Sequence, residues 1–592
     1  MMLTPESPLS DVLANRAARA MIQNYLPGIL NSPMLPQLKG LPVGMVIGLN
    51  AELSSRTDEL DKLWERLAAV PEAATGQSPS SVREKPRADY EPGSVAPGSA
   101  SFRHAGGAAC WDMFEVVIDG PEHGNPFTEV ELTAAFVHTD STGAASSTDV
   151  AAHRVGGFYD GDGLYKVRFM PDKAGDWTFR TSSNARSLDG LEGRFHCSAP
   201  NPGNHGPVRV ADQFHFAHAD GRRYRPIGTT AYAWTHQPAE VQERTLQTLA
   251  GSPFNKIRMC VFPKSYLFNT NEPDLFPYER TADGWDFARF NPAFFRHLEG
   301  RIKQLAGLGI EADLILFHAY DRWGFSDMGA SADDLFVSYV VRRLAAFGNV
   351  WWSLANEYDL LRTKSMDDWE RMAEVITTND PASHLLSIHN CFGFYDYTKP
   401  WITHASTQRI DVYRTAENTD QWREAWGKPV VIDECAYEGD IDQGWGNITG
   451  EEMVRRFWEG AVRGGYVGHG ETYLNETEEL WWSKGGNLVG SSPARIAFLA
   501  GILAQAPDGV LDPLPSDWDA PRGGVPGVLE LIYFGFNRPS YRTIMLPPDT
   551  VCTVDVIDTW NMTIERLDGQ RSGIFRVELP ARQYMAIRLN MV

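Results

Sequence analysis

The sequence lacks the features that mark membrane proteins and disulfide-stapled proteins. It contains no run of about 20 apolar residues, so we expect no transmembrane helix. Its six cysteines are scattered without a CxxC pair, a distribution that fits neither a zinc knuckle nor a disulfide framework and indicates a reducing compartment. The first residues also lack a basic start, an apolar stretch and a cleavage site. We therefore expect a cytoplasmic location.

Basic residues are scarce relative to acidic ones. The chain carries 54 Lys and Arg against 76 Asp and Glu, for a net charge of -22. The resulting negative field repels phosphate backbones and anionic lipids, so we expect neither nucleic acid nor a membrane as a partner. A hydrophobic share of 43% is that of a globular protein. The 592 residues allow roughly four domains, or fewer if one is a large barrel.

The first hundred residues divide into a helical unit and a linker. Residues 9–28 and 51–70 show helical apolar spacing, and an apolar stretch rich in Pro and Gly joins them. We predict a helical N-terminal unit at 1–75 that packs against another surface, either a second copy of the chain in a homo-oligomer or the rest of its own chain. Residues 76–104 have the Pro, Ser and Gly composition of a linker.

Runs of short strands flank a longer segment in which strands and helices alternate. Period-two runs between turn residues predict antiparallel β-sandwich domains at 105–203 and 509–592. Between them, at 204–508, eight apolar runs alternate with amphipathic stretches that end at Gly. The runs begin at Tyr224, Phe254, Ile310, Asn349, Leu385, Trp401, Pro429 and Gly465. No GxGxxG follows the first run, which disfavours a doubly wound sheet. The predicted fold class is α/β, a (β/α)8 TIM barrel flanked by two antiparallel β-sandwich domains, with a helical N-terminal extension.

Polar side chains crowd the ends of these eight runs. Because the active site of a TIM barrel lies at the carboxyl ends of its strands, we expect the functional residues there and shortly beyond. Glu357 follows WWSLAN in run 4 and Glu434 follows VVID in run 7, and these glutamates are the predicted catalytic pair. The predicted substrate-binding residues are Tyr232, Trp234, Arg258, His318, Tyr320, Asn356, His389, Asn390, His404, Tyr437, Glu471 and Trp481.

Such a pair suits hydrolysis of a glycosidic bond. One carboxylic acid protonates the leaving oxygen while a second carboxylate attacks the anomeric carbon. Strands 4 and 7 face each other across a barrel mouth, so the two glutamates can act on one bond. We expect a raised pKa to keep Glu357 protonated, while Glu434 stays ionised beside a cation such as Arg258. Neither a metal ion nor a cofactor is expected.

Two other functions stay open at this point. A metal-dependent barrel hydrolase would use the histidines and aspartates at the strand ends, although strand 1 lacks the HxH spacing that such enzymes need. A carbohydrate-binding barrel without turnover would keep the same fold. Such a barrel would more naturally have lost one of the two glutamates, and both are present.

At these residues the sequence resembles the clan A retaining glycoside hydrolases, whose barrels carry Asn-Glu at the end of strand 4 and a nucleophilic Glu at the end of strand 7. Asn356, Glu357 and Glu434 match residue by residue. The segment 107–200, with GFYDGDGLYKVRFMPDKAGDWTFRT, also looks like the N-terminal sandwich of uncharacterised glycoside hydrolases that continue into a TIM barrel and a second β-sandwich. The resemblance covers residues 105–592. It implies that Glu357 is the acid/base, Glu434 the nucleophile and Asn356 the donor to the sugar 2-hydroxyl.

The sequence departs from clan A at strand 8, where many members present a Trp as a sugar platform. Here the run reads GYVGHGETY, with His469 and Glu471 at its end, while Trp481 and Trp482 follow shortly after and could supply the aromatic face. From the residues and the resemblance together we expect a retaining, exo-acting glycoside hydrolase. Its expected substrates are β-linked or arabino-type glycosides of small oligosaccharides.

Overall fold

The computed structural model describes residues 3–15, 18–19, 21–22, 38, 40–48, 57–68, 86–139, 152–282, 284–408, 414–517 and 519–592. The chain divides into two compact units, Met1–Val82 with Arg362–Arg371 and Arg83–Leu361 with Met372–Val592. Within the described ranges, every helix is too short or too polar to cross a membrane.

Three short helices lie among the described residues in the N-terminal part of the smaller unit. They span Leu9–Ala14, Val43–Gly48 and Thr57–Ala68. Their apolar faces pack together, with Leu9 and Leu63 fully buried between them. The amphipathic spacing noted at 51–70 is therefore that of a real helix, whereas most of the predicted continuation of the first helix beyond Ala14 lies outside the described residues. The homo-oligomer stays a prediction.

The larger unit begins with eight strands that form two layers. These strands span Phe102–His104, Gly107–Ala109, Phe114–Asp119, Leu132–Thr139, His153–Tyr159, Leu164–Phe169, Gly175–Ser183 and Glu192–Ser198. The strand His153–Tyr159 belongs to both layers, because its first half pairs with Leu132–Thr139 and its second half pairs with Leu164–Phe169. Phe114 of one layer stacks on Phe195 of the other at 3.7 Å between ring centroids. The alternating burial of the strands produces this shared core.

Eight parallel strands then curl into a barrel. In chain order β1 to β8 span Gly228–Thr230, Lys256–Cys260, Glu311–His318, Val350–Asn356, Leu386–Ser387, Ala405–Gln408, Val430–Glu434 and Tyr466–His469. The strands neighbour one another in the order β5-β4-β3-β2-β1-β8-β7-β6. A parallel bridge between His389 and Ser406 joins the two ends and closes the ring. The predicted TIM barrel is confirmed, and its strands are buried almost throughout because both of their faces are covered.

The barrel helices occupy the amphipathic stretches, with one exception. The helices span Ala239–Ala250, Pro292–Gly307, Ala330–Leu344, Met366–Asn379, Thr419–Trp426, Gly450–Val462 and Ser492–Leu503. Residues 388–404, all described, lead from β5 to β6 without a helix, so the expectation of eight complete β/α units needs correction there. Gly393 and Pro400 interrupt that segment. Asp359 fixes its start by accepting hydrogen bonds from three consecutive backbone N–H groups, those of residues 391–393.

A small antiparallel sheet closes the amino end of the barrel. Its strands span Val208–Ala211, His215–His218 and Arg223–Tyr224. Phe216 of this sheet packs against Trp351 of β4 and Tyr466 of β8. A second insertion, the hairpin Tyr278–Thr281 with Gly284–Phe290, lies between β2 and the helix that follows it. With one end closed, the open end of the barrel is the carboxyl end of the strands.

The chain ends in a second group of strands. They span Asp512–Asp517, Ala520–Val525, Leu529–Tyr533, Tyr541–Met545, Val551–Asp558, Thr563–Arg566, Arg571–Ser572, Ile574–Glu578 and Met585–Met591. Seven of them form one sheet, and the pair Tyr541–Met545 with Ile574–Glu578 packs on it through Ile544 and Val577. The domain boundaries and the classification of the flanking regions as β-sandwich domains stay predictions.

Candidate active site

Glu357 and Glu434 lie at the open end of the barrel. Glu357 follows the last residue of β4 and has a left-handed backbone with φ 54°. A non-glycine residue in that region costs roughly 1 kcal/mol, a strain that proteins concentrate at functional sites. Glu434 is the last residue of β7. The two residues are only 6% and 8% exposed, so both carboxylates lie in a nearly enclosed site.

Glu434 is surrounded by groups that favour its ionised form. Its Oε1 accepts a hydrogen bond from Arg258 Nη1 at 2.7 Å and another from the Tyr232 hydroxyl. Burial would raise the pKa of Glu434, but His389, Arg258 and Tyr232 together hold it below its ordinary value. Burial lowers the pKa of His389 itself to about 3, so at neutral pH Arg258 supplies the permanent positive charge.

Glu357 has the opposite electrostatic environment. Burial and the negative charge of Glu434 raise its pKa to about 7. Its Oε2 accepts hydrogen bonds from the Tyr320 hydroxyl and from Asn356 Nδ2 at 3.2 Å. Asn356 Oδ1 also lies 3.0 Å from the hydroxyl oxygen of Tyr232, whose single hydrogen can point to Asn356 or to Glu434, so the surroundings of the two carboxylates are in contact. At neutral pH a substantial fraction of Glu357 therefore retains its proton while Glu434 is charged.

Gln408 joins the two carboxylates, and the sequence interpretation missed it. With its amide nitrogen facing the glutamates, Gln408 donates to Glu357 Oε1 at 3.0 Å and to Glu434 Oε2 at 3.2 Å. Its backbone N–H donates to Asn390 Oδ1 at 3.1 Å, which holds the end of β6 in place. The signal was present, because Gln408 is the last residue of the run WITHASTQ.

Lys264 is the second functional candidate that the sequence interpretation missed. Its Nζ lies 3.5 Å from the ring centroid of Tyr232, 4.4 Å from that of Tyr320 and 4.8 Å from that of Trp482. The residue is 4% exposed, and burial lowers its pKa, while Glu357 and Glu434 partly oppose that shift. A cation over aromatic faces is attracted by their quadrupoles. Its place just beyond β2, in VFPKSY, was the available signal.

Several predicted binding residues meet around this centre. Tyr232 and Tyr437 pack with Trp482 in one buried cluster. His389 Nε2 lies 3.9 Å from Glu434 Oε1. His318 ends β3, where its Nε2 contacts the carbonyl oxygen of Phe262 at 3.2 Å, and burial together with Lys264 lowers its pKa to about 4. At neutral pH both histidines are therefore neutral groups.

His404 does not occupy the predicted position. It precedes β6 instead of ending it, and its ring lies against Trp351 and Phe216 at 5.2 and 5.9 Å between centroids. These rings belong to the closed amino end of the barrel. The run WITHASTQ contributes its last four residues to the strand, so Gln408, not His404, reaches the open end.

Three further predicted residues are committed to packing or to other polar groups. Trp234 is fully buried and donates to the sulfur of Met259. Trp481 donates to Thr229 Oγ1 at 2.8 Å, whereas the ring of Trp482 lies 5.6 Å from that of Tyr232, beside Glu434. Glu471 accepts hydrogen bonds from the backbone N–H groups of residues 489 and 490. Their assignment as sugar contacts stays a prediction.

The arrangement can perform acid and nucleophilic chemistry on one bond. A carboxyl group with a pKa of about 7 can give up a proton and take it back. A second carboxylate, kept ionised by Arg258 and Tyr232, can attack an electrophilic carbon between them. Arg258, Lys264 and Gln408 supply fixed donors around the space where charge develops.

Three families match consecutive parts of the chain. Residues 211–484, which contain the barrel strands, match the family described as "Apiosidase-like, catalytic domain". Residues 107–184 match "Domain of unknown function (DUF5060)" and residues 518–590 match "Domain of unknown function (DUF5605)". No curated protein matches the chain.

Solved structures agree with the catalytic family. A presumed glycoside hydrolase from Bacteroides vulgatus ATCC 8482 is 36% identical, with a TM-score of 0.77 over 82% of this chain and 100% of that chain. A family 5 glycoside hydrolase from Bacteroides vulgatus ATCC 8482 is 16% identical, with a TM-score of 0.54 over 66% of this chain and 95% of that chain, and shows the shared fold. The chain therefore belongs to the glycoside hydrolases and is a glycosidase, and its residues 211–484 are similar to the apiosidase-like catalytic domain.

Proposed function

We propose that the protein is a retaining, exo-acting glycosidase that hydrolyses β-linked or arabino-type glycosides of small oligosaccharides. Glu357 is the acid/base and Glu434 the nucleophile. Asn356 donates to the sugar 2-hydroxyl, and the space between Lys264, Tyr320 and Trp482 receives the sugar next to the scissile bond.

The observation that carries the retaining mechanism is the pair of hydrogen bonds from Gln408. Distances of 3.0 and 3.2 Å from one nitrogen set an upper limit of 6.2 Å on the separation of Glu357 Oε1 and Glu434 Oε2. The two N–H bonds of an amide diverge by about 120°, which puts the acceptors about 5.4 Å apart. Retaining enzymes hold their carboxyl groups about 5–5.5 Å apart, whereas inverting enzymes leave about 6.5–9.5 Å for a water molecule.

The contrast between the two carboxyl groups supports their division of labour. Glu434 keeps a charged oxygen for attack because Arg258 and Tyr232 stabilise the anion. Glu357 keeps a proton because it is buried beside that anion. Two carboxyl groups whose environments push their pKa values apart are suited to opposite roles in one reaction.

Each half of the reaction then balances. A Glu434 oxygen forms a bond to the anomeric carbon as the bond from that carbon to the leaving oxygen breaks, and Glu357 gives its proton to that oxygen. Ionised Glu357 next takes a proton from water, whose oxygen bonds to the anomeric carbon and releases Glu434. Two inversions restore the starting configuration and protonation states.

The proposed substrate class rests on enclosure and on the family. Both catalytic residues are less than one-tenth exposed, which suits a pocket for a terminal sugar better than an open cleft. The description of the catalytic family names an apiosidase, so apiosides join β-hexosides, β-pentosides and α-L-arabinofuranosides among the candidate substrates.

The test is a release assay with aryl glycosides of these classes, followed by NMR of the first-formed anomer. We expect turnover of at least one glycoside, a product of retained configuration, and release from the chain end of an oligosaccharide carrying the same sugar. Glu434→Gln should abolish turnover. Glu192→Gln, which changes an exposed glutamate on the N-terminal sheet, is the matched control and should not. A product of inverted configuration would overturn the mechanism, and release of internal fragments would overturn exo action.

A further inference from the structure

Glu438, His469 and Glu471 form a buried cluster outside the catalytic pair. Glu438 starts a short strand, Glu438–Gly439, which pairs in parallel with Glu471–Thr472. His469 is the last residue of β8. All three residues are at most 1% exposed, and one potential ligand atom from each lies within 4.8 Å of the others. Such a cluster needs its own explanation because buried charges are costly.

Two atoms of this cluster are left without a hydrogen bond. Among the described residues, neither His469 Nε2 nor Glu471 Oε1 has a hydrogen-bond partner, and they lie 3.6 Å apart. The other nitrogen of the ring, Nδ1, contacts Thr229 Oγ1 at 3.0 Å, and Trp481 donates to the same oxygen at 2.8 Å. Nδ1 is therefore already engaged, and Nε2 is the ring nitrogen left to bind a ligand.

The remaining carboxylate oxygens are held by neutral groups. Glu471 Oε2 accepts from the N–H groups of Val489 and Gly490 at 2.8 and 2.9 Å. Glu438 Oε1 accepts from Tyr473 and from Ser491, whereas its Oε2 accepts from the N–H of residue 492. Across the described residues no lysine or arginine forms an ion pair with either carboxylate. Two buried anions thus share a site without a protein cation of permanent charge.

The loop above the carboxylates is shaped to leave them room. A Cβ on Gly490 would lie 2.5 Å from Glu471 Oε1 and 2.6 Å from Glu438 Oε2, so only glycine fits there. The backbone at Gly490 therefore lies close against Glu471 Oε1 and Glu438 Oε2 and fixes their positions, and no side chain separates the two oxygens. This is the cradle that a bound ion requires.

We infer that Glu438, His469 and Glu471 bind one divalent transition-metal ion of the zinc class as a structural site. Zinc binds imidazole nitrogen and carboxylate oxygen at about 2.0–2.2 Å, and tetrahedral ligands at that distance lie about 3.4 Å from one another. The 3.6 Å between Nε2 and Oε1 matches this spacing. An imidazole ligand favours zinc over calcium or magnesium, which prefer oxygen alone. The ion ties the end of β8 to the loop at 489–492.

Metal binding to the full chain tests this inference. After dialysis against a chelator, calorimetric titration with ZnCl2 should give one zinc ion per chain. Glu471→Gln and His469→Gln should each weaken binding at least about tenfold, since even changes outside the ligand set cost that much. His196→Gln, at an exposed histidine on the N-terminal sheet, is the control for surface binding and should leave the affinity unchanged. The site would be overturned if the wild type did not bind zinc, or if His196→Gln lost binding while Glu471→Gln and His469→Gln kept it.

A spectroscopic measurement keeps the test independent of variant folding. Zinc-edge X-ray absorption of the loaded wild-type protein should show nitrogen and oxygen ligands at about 2.0–2.2 Å with the scattering of one imidazole. Sulfur ligands at about 2.3 Å would place the ion on cysteines and overturn the assignment. A first shell without imidazole would do the same.

Discussion

With its amide oriented to donate, as the surrounding acceptors require, the Gln408 side chain bonds Glu357 Oε1 at 3.0 Å and Glu434 Oε2 at 3.2 Å. One side chain thus bridges the proposed acid/base and the proposed nucleophile. Because it donates to both carboxylates, it stabilises the charged form of each. Its backbone is held by Asn390, a residue at the end of the neighbouring strand, so the spacing depends on the closure of the barrel between β5 and β6.

Gln408→Leu removes this bridge while keeping a side chain of similar volume. A hydrogen bond to a charged group contributes about 1.5–3 kcal/mol, so we expect kcat/KM to fall about 10- to 100-fold. The pKa of Glu357 should rise because its anion loses a donor, which moves the alkaline limb of the pH profile upward. Gln213→Leu, at an exposed residue near the closed end of the barrel, is the matched control. Unchanged rates in Gln408→Leu would contradict the bridging role.

The pH dependence of kcat/KM follows from the two carboxyl groups. The proposed mechanism requires Glu357 protonated and Glu434 ionised. It should therefore fall above about pH 7, where Glu357 loses its proton, and fall again in acid, at a pH below the ordinary glutamate pKa of 4.5, where Glu434 gains one. Stopped assays from pH 3 to 9 would show this bell shape.

The variant Glu434→Gln tests whether the charge of Glu434 or burial alone raises the pKa of Glu357 and so sets the alkaline limb. The negative charge of Glu434 raises the pKa of Glu357, so its removal should lower that pKa. Carbon-13 NMR titration of labelled glutamate side chains measures this shift in a variant that has no turnover. An unchanged or higher pKa would show that burial alone sets the protonation of Glu357.

Lys264→Met tests the cation enclosed by aromatic rings. The charge of Lys264 lowers the pKa of Glu357, so the alkaline limb should move to higher pH in the variant. Loss of a charged donor to the sugar should also reduce kcat/KM by about 10- to 100-fold. Lys303→Met, on the exposed face of the helix Pro292–Gly307, should do neither. A fall in rate without a shift of the limb would mean that Lys264 contacts substrate but does not influence Glu357.

Glu357→Ala tests the assignment of the acid/base. The variant should hydrolyse glycosides with activated aryl leaving groups better than natural ones, because activated groups depart without a proton. Added azide should restore the second step and yield a glycosyl azide of retained configuration. No response to azide, or an azide product of inverted configuration, would remove the role from Glu357.

The barrel, and the position of Glu357 and Glu434 at its open end, could be predicted from the sequence because buried parallel strands read as largely apolar runs that end in polar residues. Glu357 and Glu434 each follow such a run directly. Gln408 was missed because His404 was assigned to the carboxyl end of the run WITHASTQ, whereas the strand begins at Ala405 and ends at Gln408. Lys264 could not be found by spacing, since its environment is built by the rings of Tyr232 just beyond β1, Tyr320 just beyond β3 and Trp482, which are distant from one another in sequence.

A buried ion network provides a stability prediction apart from catalysis. Arg343, on the helix Ala330–Leu344, donates to Asp160 and to Glu299 at 2.7 Å each and is fully buried. Arg343→Met would leave both carboxylates buried with fewer partners, which typically costs about 3–5 kcal/mol. Arg180→Met, which breaks an exposed pair with Glu192, should cost less than about 1 kcal/mol. Urea unfolding of both variants measures the difference, and equal losses would show that the buried network adds nothing beyond a surface pair.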